Sequence, residues 1–409
     1  MRRAFDWRRF VAFLGPDLSV VSQSLVALAL NSSTSLVAGA MLGAITGTFN
    51  RLPGLLILVP PAIGLRGNVF SALGNRLSTA IHSGQFRPTL RRGTILGDNV
   101  IASLLLTLGL SLTLAIVAKV VAIAVGVHHS ISVFDLATIS ILGGLLASVI
   151  VLVVTVVLAL GAVRFGWDLD NLVAPIVSTL GDVLTLPALW AAALLVDHGL
   201  GSTLLGWVVG VATSISIVYG WRTRQRYLRE IVRQSWPILF AGLTLSTLAG
   251  VVIEKRLTTL SEFPALLILL PAFVSSAGAL GGIFSSRLSS GLNLGMVTPA
   301  NIPPRSARRD AVLLVVLAVP IYAFNGLGAH FVAGMLNQAS PGMGSMLAVA
   351  LLGALGAVAF VVVIAYYGSV TAYRLRLDPD TYGVPTITSS VDFIGALVMV
   401  SVIVALGIT

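Results

Sequence analysis

Apolar stretches of eighteen or more residues recur from one end of this 409-residue chain to the other. A stretch of that length spans the hydrocarbon core of a bilayer when it is helical. Hydrophobic residues make up 56% of the chain and charged ones only 10%, far outside the composition of soluble globular domains. Eleven spans are expected, at roughly 17–47, 53–75, 95–126, 134–163, 172–196, 200–220, 234–253, 263–285, 310–337, 344–369 and 382–407. The expected fold class is an all-α polytopic membrane protein. The first ten residues lack a cleavable-signal pattern, and their apolar run continues into the first span, so they are read as mature sequence. Cysteine is absent, which removes disulfides, thiolate metal sites and thiol redox chemistry.

A net charge of +10 invites a nucleic-acid reading, but the placement of the charge points to topology instead. Twenty basic residues fall on one side of the span map: Arg2, Arg3, Arg8, Arg9, Arg76, Arg87, Arg91, Arg92, Arg164, the run from Arg222 to Arg233, Arg287, Arg305, Arg308, Arg309, Arg374 and Arg376. The opposite side carries Arg51, Lys119, Lys255 and Arg256, and Arg66 lies inside the second span. Basic loops stay in the cytoplasm. The chain is therefore expected in a cell membrane, with a cytoplasmic amino terminus and an extracytoplasmic carboxyl terminus.

The chain also repeats itself. Residues 52–84 align without gaps to 263–295, with 11 identities in 33 positions. Pro53 to Pro60 corresponds to Pro264 to Pro271, Gly67 to Gly278, and Arg76-Leu-Ser to Arg287-Leu-Ser. The register extends back through Ser35/Ser246 and Ala38-Gly39/Ala249-Gly250. Near the end of each half the offset shortens by one, joining Asp168 to Asp378, Pro175 to Pro385 and Asp182 to Asp392. We expect a five-helix repeat over 1–199, a connecting transmembrane helix over 200–220 and a second repeat over 221–409. Six spans separate the two starts, so both copies run in the same direction, with their pseudo-twofold axis along the membrane normal.

Of the fifteen acids, thirteen map to one membrane surface or the other. Asp182 and Asp392 remain in span interiors, at corresponding places. An acid near the middle of a membrane helix costs about 2.5–3.5 kcal/mol on insertion scales and marks an ion or substrate site by default. Proline favours the first helical turn, so helices starting near Pro175 and Pro385 would carry each Asp about 10–12 Å into the membrane. Ser178 shares the face of Asp182, and Thr388 shares that of Asp392; Thr185 and Gly395 occupy the next positions along each stripe. Carboxylates, hydroxyls and carbonyls are hard oxygen ligands, and magnesium needs only one or two carboxylates because it keeps much of its water. The competing structural reading has each Asp paired with an arginine or capping a broken helix, with Arg66 the nearest basic residue in the chain map.

Asn68 is the other polar side chain that a buried helix would leave short of partners, and it joins the candidate metal ligands Asp182, Asp392, Ser178 and Thr388. Arg66 is expected to snorkel to the cytoplasmic edge. Gly143-Gly144 and Gly353 with Gly356 read as helix-packing positions. The five histidines, including the His128-His129 pair, fall in loops or near helix ends. No Walker, Gly-x-Ser-x-Gly or His-Glu-x-x-His pattern is present, so the chain is not expected to be an enzyme.

At these residues the chain resembles the divalent-cation transporters of the MgtE type, above all their duplicated form, solute carrier family forty-one. Leu58 to Ala80, containing Gly67-Asn68 and Arg76-Leu-Ser, resembles that family's first-repeat signature. Asp168-x-Asp-Asn…Pro175…Gly-Asp182-Val-Leu-Thr and Asp378-Pro-Asp380…Pro385…Val-Asp392-Phe-Ile-Gly resemble its paired fifth-helix signatures. The resemblance implies magnesium transport, with magnesium as cargo and no cofactor. It implies that the fifth-helix Asp is the principal ligand and that the pore lies between second and fifth helices of both halves. It further implies that one chain does the work of a homodimer, with the divalent cation and membrane lipids as its partners. Two departures stand out. The acid that ends each half's first helix in the family survives as Glu254 but is Gly43 in the first half, and Gly67-Asn68 becomes Gly278-Ala279 in the second. About sixteen residues precede the first span, so no cytoplasmic regulatory domain is expected. The residues leave open a sodium- or proton-coupled exchanger of another divalent cation or solute, and, further off, a non-transport membrane enzyme or scaffold.

Overall fold

The computed structural model describes residues 18–127, 130–165, 169–197, 202–293, 295–375 and 384–408. Arg2, Arg3, Arg8, Arg9, Arg376, Asp168, Asp378, Asp380, His128, His129 and His198 lie outside the described residues. Among the described residues all regular structure is helical: α1 (Leu18–Ala44), α2 (Thr46–Arg51), a 3₁₀ turn (Leu55–Leu58) leading into α3 (Val59–His82), α4 (Ile95–Ala124), α5 (Val133–Thr138), a π turn (Ile139–Gly143), α6 (Gly144–Phe165), α7 (Leu169–Asp197) and α8 (Ser202–Arg222). The second half continues with α9 (Arg226–Glu254), α10 (Leu257–Glu262), α11 (Pro264–Asn293), α12 (Arg305–Met335), α13 (Met343–Arg374) and α14 (Val384–Ala405). Eleven stretches are long and apolar enough to cross a membrane, one for each expected span. The chain is a multi-pass, all-α membrane protein.

Local chemistry sets several of the ends. Thr94 caps α4 by accepting from Gly97 N at 3.2 Å, and Ser132 caps α5 by accepting from Asp135 N at 3.1 Å. The break after Ala44 separates α2 from α1, and the same break precedes α10, at positions 211 residues further on.

The two halves interleave. Helix α1 packs along α11 and α12 of the second half, while α9 packs along α3 and α4 of the first. Both crossings are closed by glycine. A methyl group on Gly39 would lie 2.1 Å from the Ile268 carbonyl oxygen, and one on Gly250 would lie 2.4 Å from that of Ile57. Gly39/Gly250 and Ile57/Ile268 are each 211 residues apart, so one close crossing is built twice. The Arg-Leu-Ser motifs likewise do the same job twice. Arg76 donates to Asn99 Oδ1 at 3.4 Å, and Arg287 pairs with Asp310 at 3.1 Å; each joins a half's second helix to the start of its third. Gly143 packs on Ala188 and Leu189, Gly353 on the Phe273 ring and Gly356 on Val398, the packing role expected of them.

Helix α8 lies at the periphery. Its inner side meets α4 and α5, with the Phe134 and Trp207 rings 5.1 Å apart. Its outer side presents Leu204, Val208, Val211 and Ile215, all at least half exposed, as a lipid-facing helix requires.

Candidate functional site

Helix α7 starts at Leu169, six residues before the expected start near Pro175. Membrane helices tolerate an internal proline when neighbours take up the freed carbonyl. Asp182 therefore sits about 20 Å along its helix. Helix α14 starts at Val384, beside Pro385, so Asp392 lies about 12 Å along, as expected.

Each Asp is held by a serine from the first helix of its own half. Ser35 Oγ donates to Asp182 Oδ2 at 3.0 Å, and Ser246 Oγ donates to Asp392 Oδ2 at 2.7 Å. Ser35 and Ser246 are counterparts 211 residues apart. Each Asp also meets the second helix of the other half, again at counterpart positions. Ser275 Oγ on α11 lies 3.5 Å from Asp182 Oδ2. A methyl group on Gly64 of α3 would lie 3.4 Å from Asp392 Oδ2. Asp182 is only 8% exposed and Asp392 is half-buried. In both carboxylates Oδ2 takes the serine bond, while Oδ1 accepts none among the described residues.

The surroundings differ in polarity. Around Asp182, Asn31 Nδ2 donates to Ser275 Oγ at 3.1 Å, Ser32 and Ser276 hydroxyls meet at 3.1 Å, and Asn325 Nδ2 donates to Ser276 Oγ at 2.8 Å. The counterparts of Asn31, Ser32, Ser276 and Asn325 in the other half are Gly242, Leu243, Leu65 and Leu114. A continuous polar seam backs the first carboxylate, and apolar residues take its place behind the second.

The remaining candidates are distributed unevenly. Asn68 is half-buried on α3, whose Gly67 nitrogen lies 3.6 Å from a methyl position on Gly181, one residue before Asp182. Thr388 is half-buried on α14. Ser178 falls on α7, with its side chain outside the described residues. Thr185 is fully buried, and its hydroxyl has no partner among the described residues.

Arg66 does not snorkel. It is 1% exposed, its Nη1 donates to the Ala62 carbonyl of its own helix, and its Nε and Nη2 are buried without partners among the described residues. The guanidinium fits a notch at Gly144, where a methyl group would stand 2.6 Å from Nη2. It is turned towards α4 and α6, and no ion pair joins it to Asp182 or Asp392 among the described residues. Packing at a glycine decides its direction. The paired-arginine reading of the two Asp residues falls with it.

Two further groups acquire their contacts only in the structure. The Ser35/Ser246 identity was visible in the repeat, and its meaning emerges only when first and fifth helices touch. Glu254, mapped to the outer surface, is 9% exposed and accepts from Gly54 N at 2.7 Å, with Oε2 buried and unpartnered among the described residues. Its counterpart Gly43 faces Gln338 instead.

Comparison with known proteins bears on what this arrangement serves. The family model of MgtE, described as a divalent cation transporter, matches residues 59–192 and again 270–402. The chain belongs to the MgtE family of divalent cation transporters. Similar proteins include solute carrier family 41 member 3 of Mus musculus, 26% identical, covering 85% of this chain and 74% of that protein. Solute carrier family 41 member 3 of Rattus norvegicus is 25% identical over 92% of this chain and 85% of that protein. Solute carrier family 41 member 2 of Xenopus laevis is 24% identical over 94% of this chain and 71% of that protein. No solved structure matches. Both family matches contain an Asp and its second helix, Asp182 in the first and Asp392 in the second.

Proposed function

We propose that this chain carries magnesium across the membrane along a central path between two parallel five-helix repeats, 1–199 and 221–409, joined by the connecting helix. Asp182 and Asp392 face that path and are the principal ligands. The observation that carries the reading is the matched pair of bonds, Ser35 to Asp182 and Ser246 to Asp392, with each carboxylate also against the second helix of the other half.

Two carboxylates close together in a poorly solvated site repel each other unless a cation lies between them. A divalent cation relieves that repulsion better than a monovalent one. Among the described residues no group of three or more His, Cys, Asp or Glu gathers, so the donors available are two carboxylates, hydroxyls and amides. That set suits an ion that keeps most of its water, as magnesium does. It does not suit zinc, which prefers nitrogen and sulfur ligands. Each serine holds Oδ2 and leaves Oδ1 facing the ion, so the carboxylate is oriented before the ion arrives. Thr388 and Asn68 supply outer contacts to the bound waters, with Ser178 on the Asp182 face.

Uptake into proteoliposomes of purified protein tests this, run for magnesium, calcium, manganese, cobalt and zinc, each with and without a sodium or pH gradient. Magnesium flux above that of empty liposomes is expected. Strict dependence on one of the gradients would assign exchange rather than uniport, and absence of magnesium flux under every gradient would overturn the proposal.

A further inference from the structure

The Ser261 hydroxyl lies 3.4 Å from Asn50 Oδ1, and the two residues are 211 positions apart. A contact between a residue and its own repeat counterpart forms only near the axis that relates the two copies. Deeper in the molecule, Asp182 meets Ser275 and Asp392 meets Gly64, counterpart contacts between the two halves around the same axis. We infer that Asn50 and Ser261 form the extracytoplasmic mouth of the ion path and close it in this conformation. The inference rests on the reading of two related halves around one path.

The elements that carry the pair are built for the position. Helices α2 (Thr46–Arg51) and α10 (Leu257–Glu262) are counterparts of one turn and a half, set between the first and second helices of each half. Each is anchored by one large apolar side chain, Phe49 at 1% and Leu260 at 2% exposure, again counterparts. Helix α2 packs on α7, the helix of Asp182. Thr259 and Leu260 of α10 line a small cleft with Val400, Ile403 and Val404 of α14, the helix of Asp392. Each short helix thus sits over the outer end of the helix that carries its half's Asp, and the two meet at Asn50 and Ser261.

Size decides that this contact is a closure. Magnesium with six waters at about 2.1 Å, each of radius about 1.4 Å, is about 7 Å across. It cannot pass between polar atoms 3.4 Å apart. Opening needs α2 and α10 to part by several ångströms, about the reach of a loop or short-helix motion. When parted, an amide and a hydroxyl offer the incoming hydrated ion neutral oxygen contacts, which fits rapid entry better than tight capture.

The absence of cysteine makes the test direct. In the full chain, Asn50→Cys and Ser261→Cys are combined, and bridging by oxidant or a short bifunctional thiol reagent is counted by loss of free thiols in the intact mass. The reduced double variant in proteoliposomes sets the reference rate of magnesium uptake. Bridging should cut uptake at least tenfold, reductant should restore it, and neither single variant should respond. Complete bridging with unchanged uptake, or failure of both reagents to bridge the pair, would overturn the inference and leave the transport reading standing. If neither the unmodified chain nor the reduced variant moves a divalent cation, the transport reading itself fails, and the inference with it.

Discussion

At the scale of single residues, the two aspartates are equivalent in the chain but not in their surroundings. Asp182 has a serine of its own half, a serine of the other half and an amide behind it; Asp392 has one serine and a glycine. The richer set of donors stabilises a charged Asp182 and fixes its direction. Asp392→Asn should therefore slow magnesium uptake less than Asp182→Asn, which initial rates in proteoliposomes would measure. Equal losses, or a greater loss from Asp392→Asn, would contradict the asymmetry. Ser35 touches the carboxylate and not the cargo, so it is a positioning residue. A hydrogen bond to a charged group is worth about 1.5–3 kcal/mol, so Ser35→Ala should raise the magnesium concentration for half-maximal uptake by about tenfold. The maximal rate should change little, and Ser35→Thr should recover most of the affinity. A drop in maximal rate alone would mean that the serine serves folding instead. The acids and their serines were all readable in the repeat. What could not be read was Arg66, because a single chain map gives its depth but not the glycine notch that turns it away from Asp182.

At the scale of helices, the fold depends on two crossings that admit no side chain. Backbone meets backbone at Gly39 and at Gly250, so a methyl group cannot be relieved by a change of rotamer. Gly39→Ala and Gly250→Ala should each destabilise the protein by about 1–3 kcal/mol or more, seen as a lower unfolding midpoint in detergent. Gly47, with open space around its methyl position, should tolerate alanine with little change. Unchanged midpoints for both crossing variants would remove the interleaved packing of α1 with α11 and α9 with α3. The eleven spans were legible because length and apolarity alone define them. Helix ends were less so. The expected start at Pro175 gave way to Leu169, since a membrane helix tolerates an internal proline. The short helices α2 and α10 fell in the gaps between spans in the chain map, because a six-residue segment has too little periodicity to stand out.

At the scale of the whole molecule, the proposed parallel arrangement requires the ends of the chain to lie on opposite sides. A reporter fused after Thr409 should be active outside the cytoplasm and silent within it; the reverse result would remove the connecting helix and the shared axis. Partner choice was the least legible level. That each half lends its first helix to the other half's second helix follows from glycine and serine matches that acquire meaning only as contacts. The account as a whole turns on a carboxylate serving as the ion's ligand. The most direct measurement is magnesium uptake by proteoliposomes of Asp182→Asn, with reconstitution checked by equal protein content and an unfolding midpoint close to that of the unmodified protein. The account predicts uptake close to that of empty liposomes from a well-folded variant, and full uptake by the same variant would contradict it.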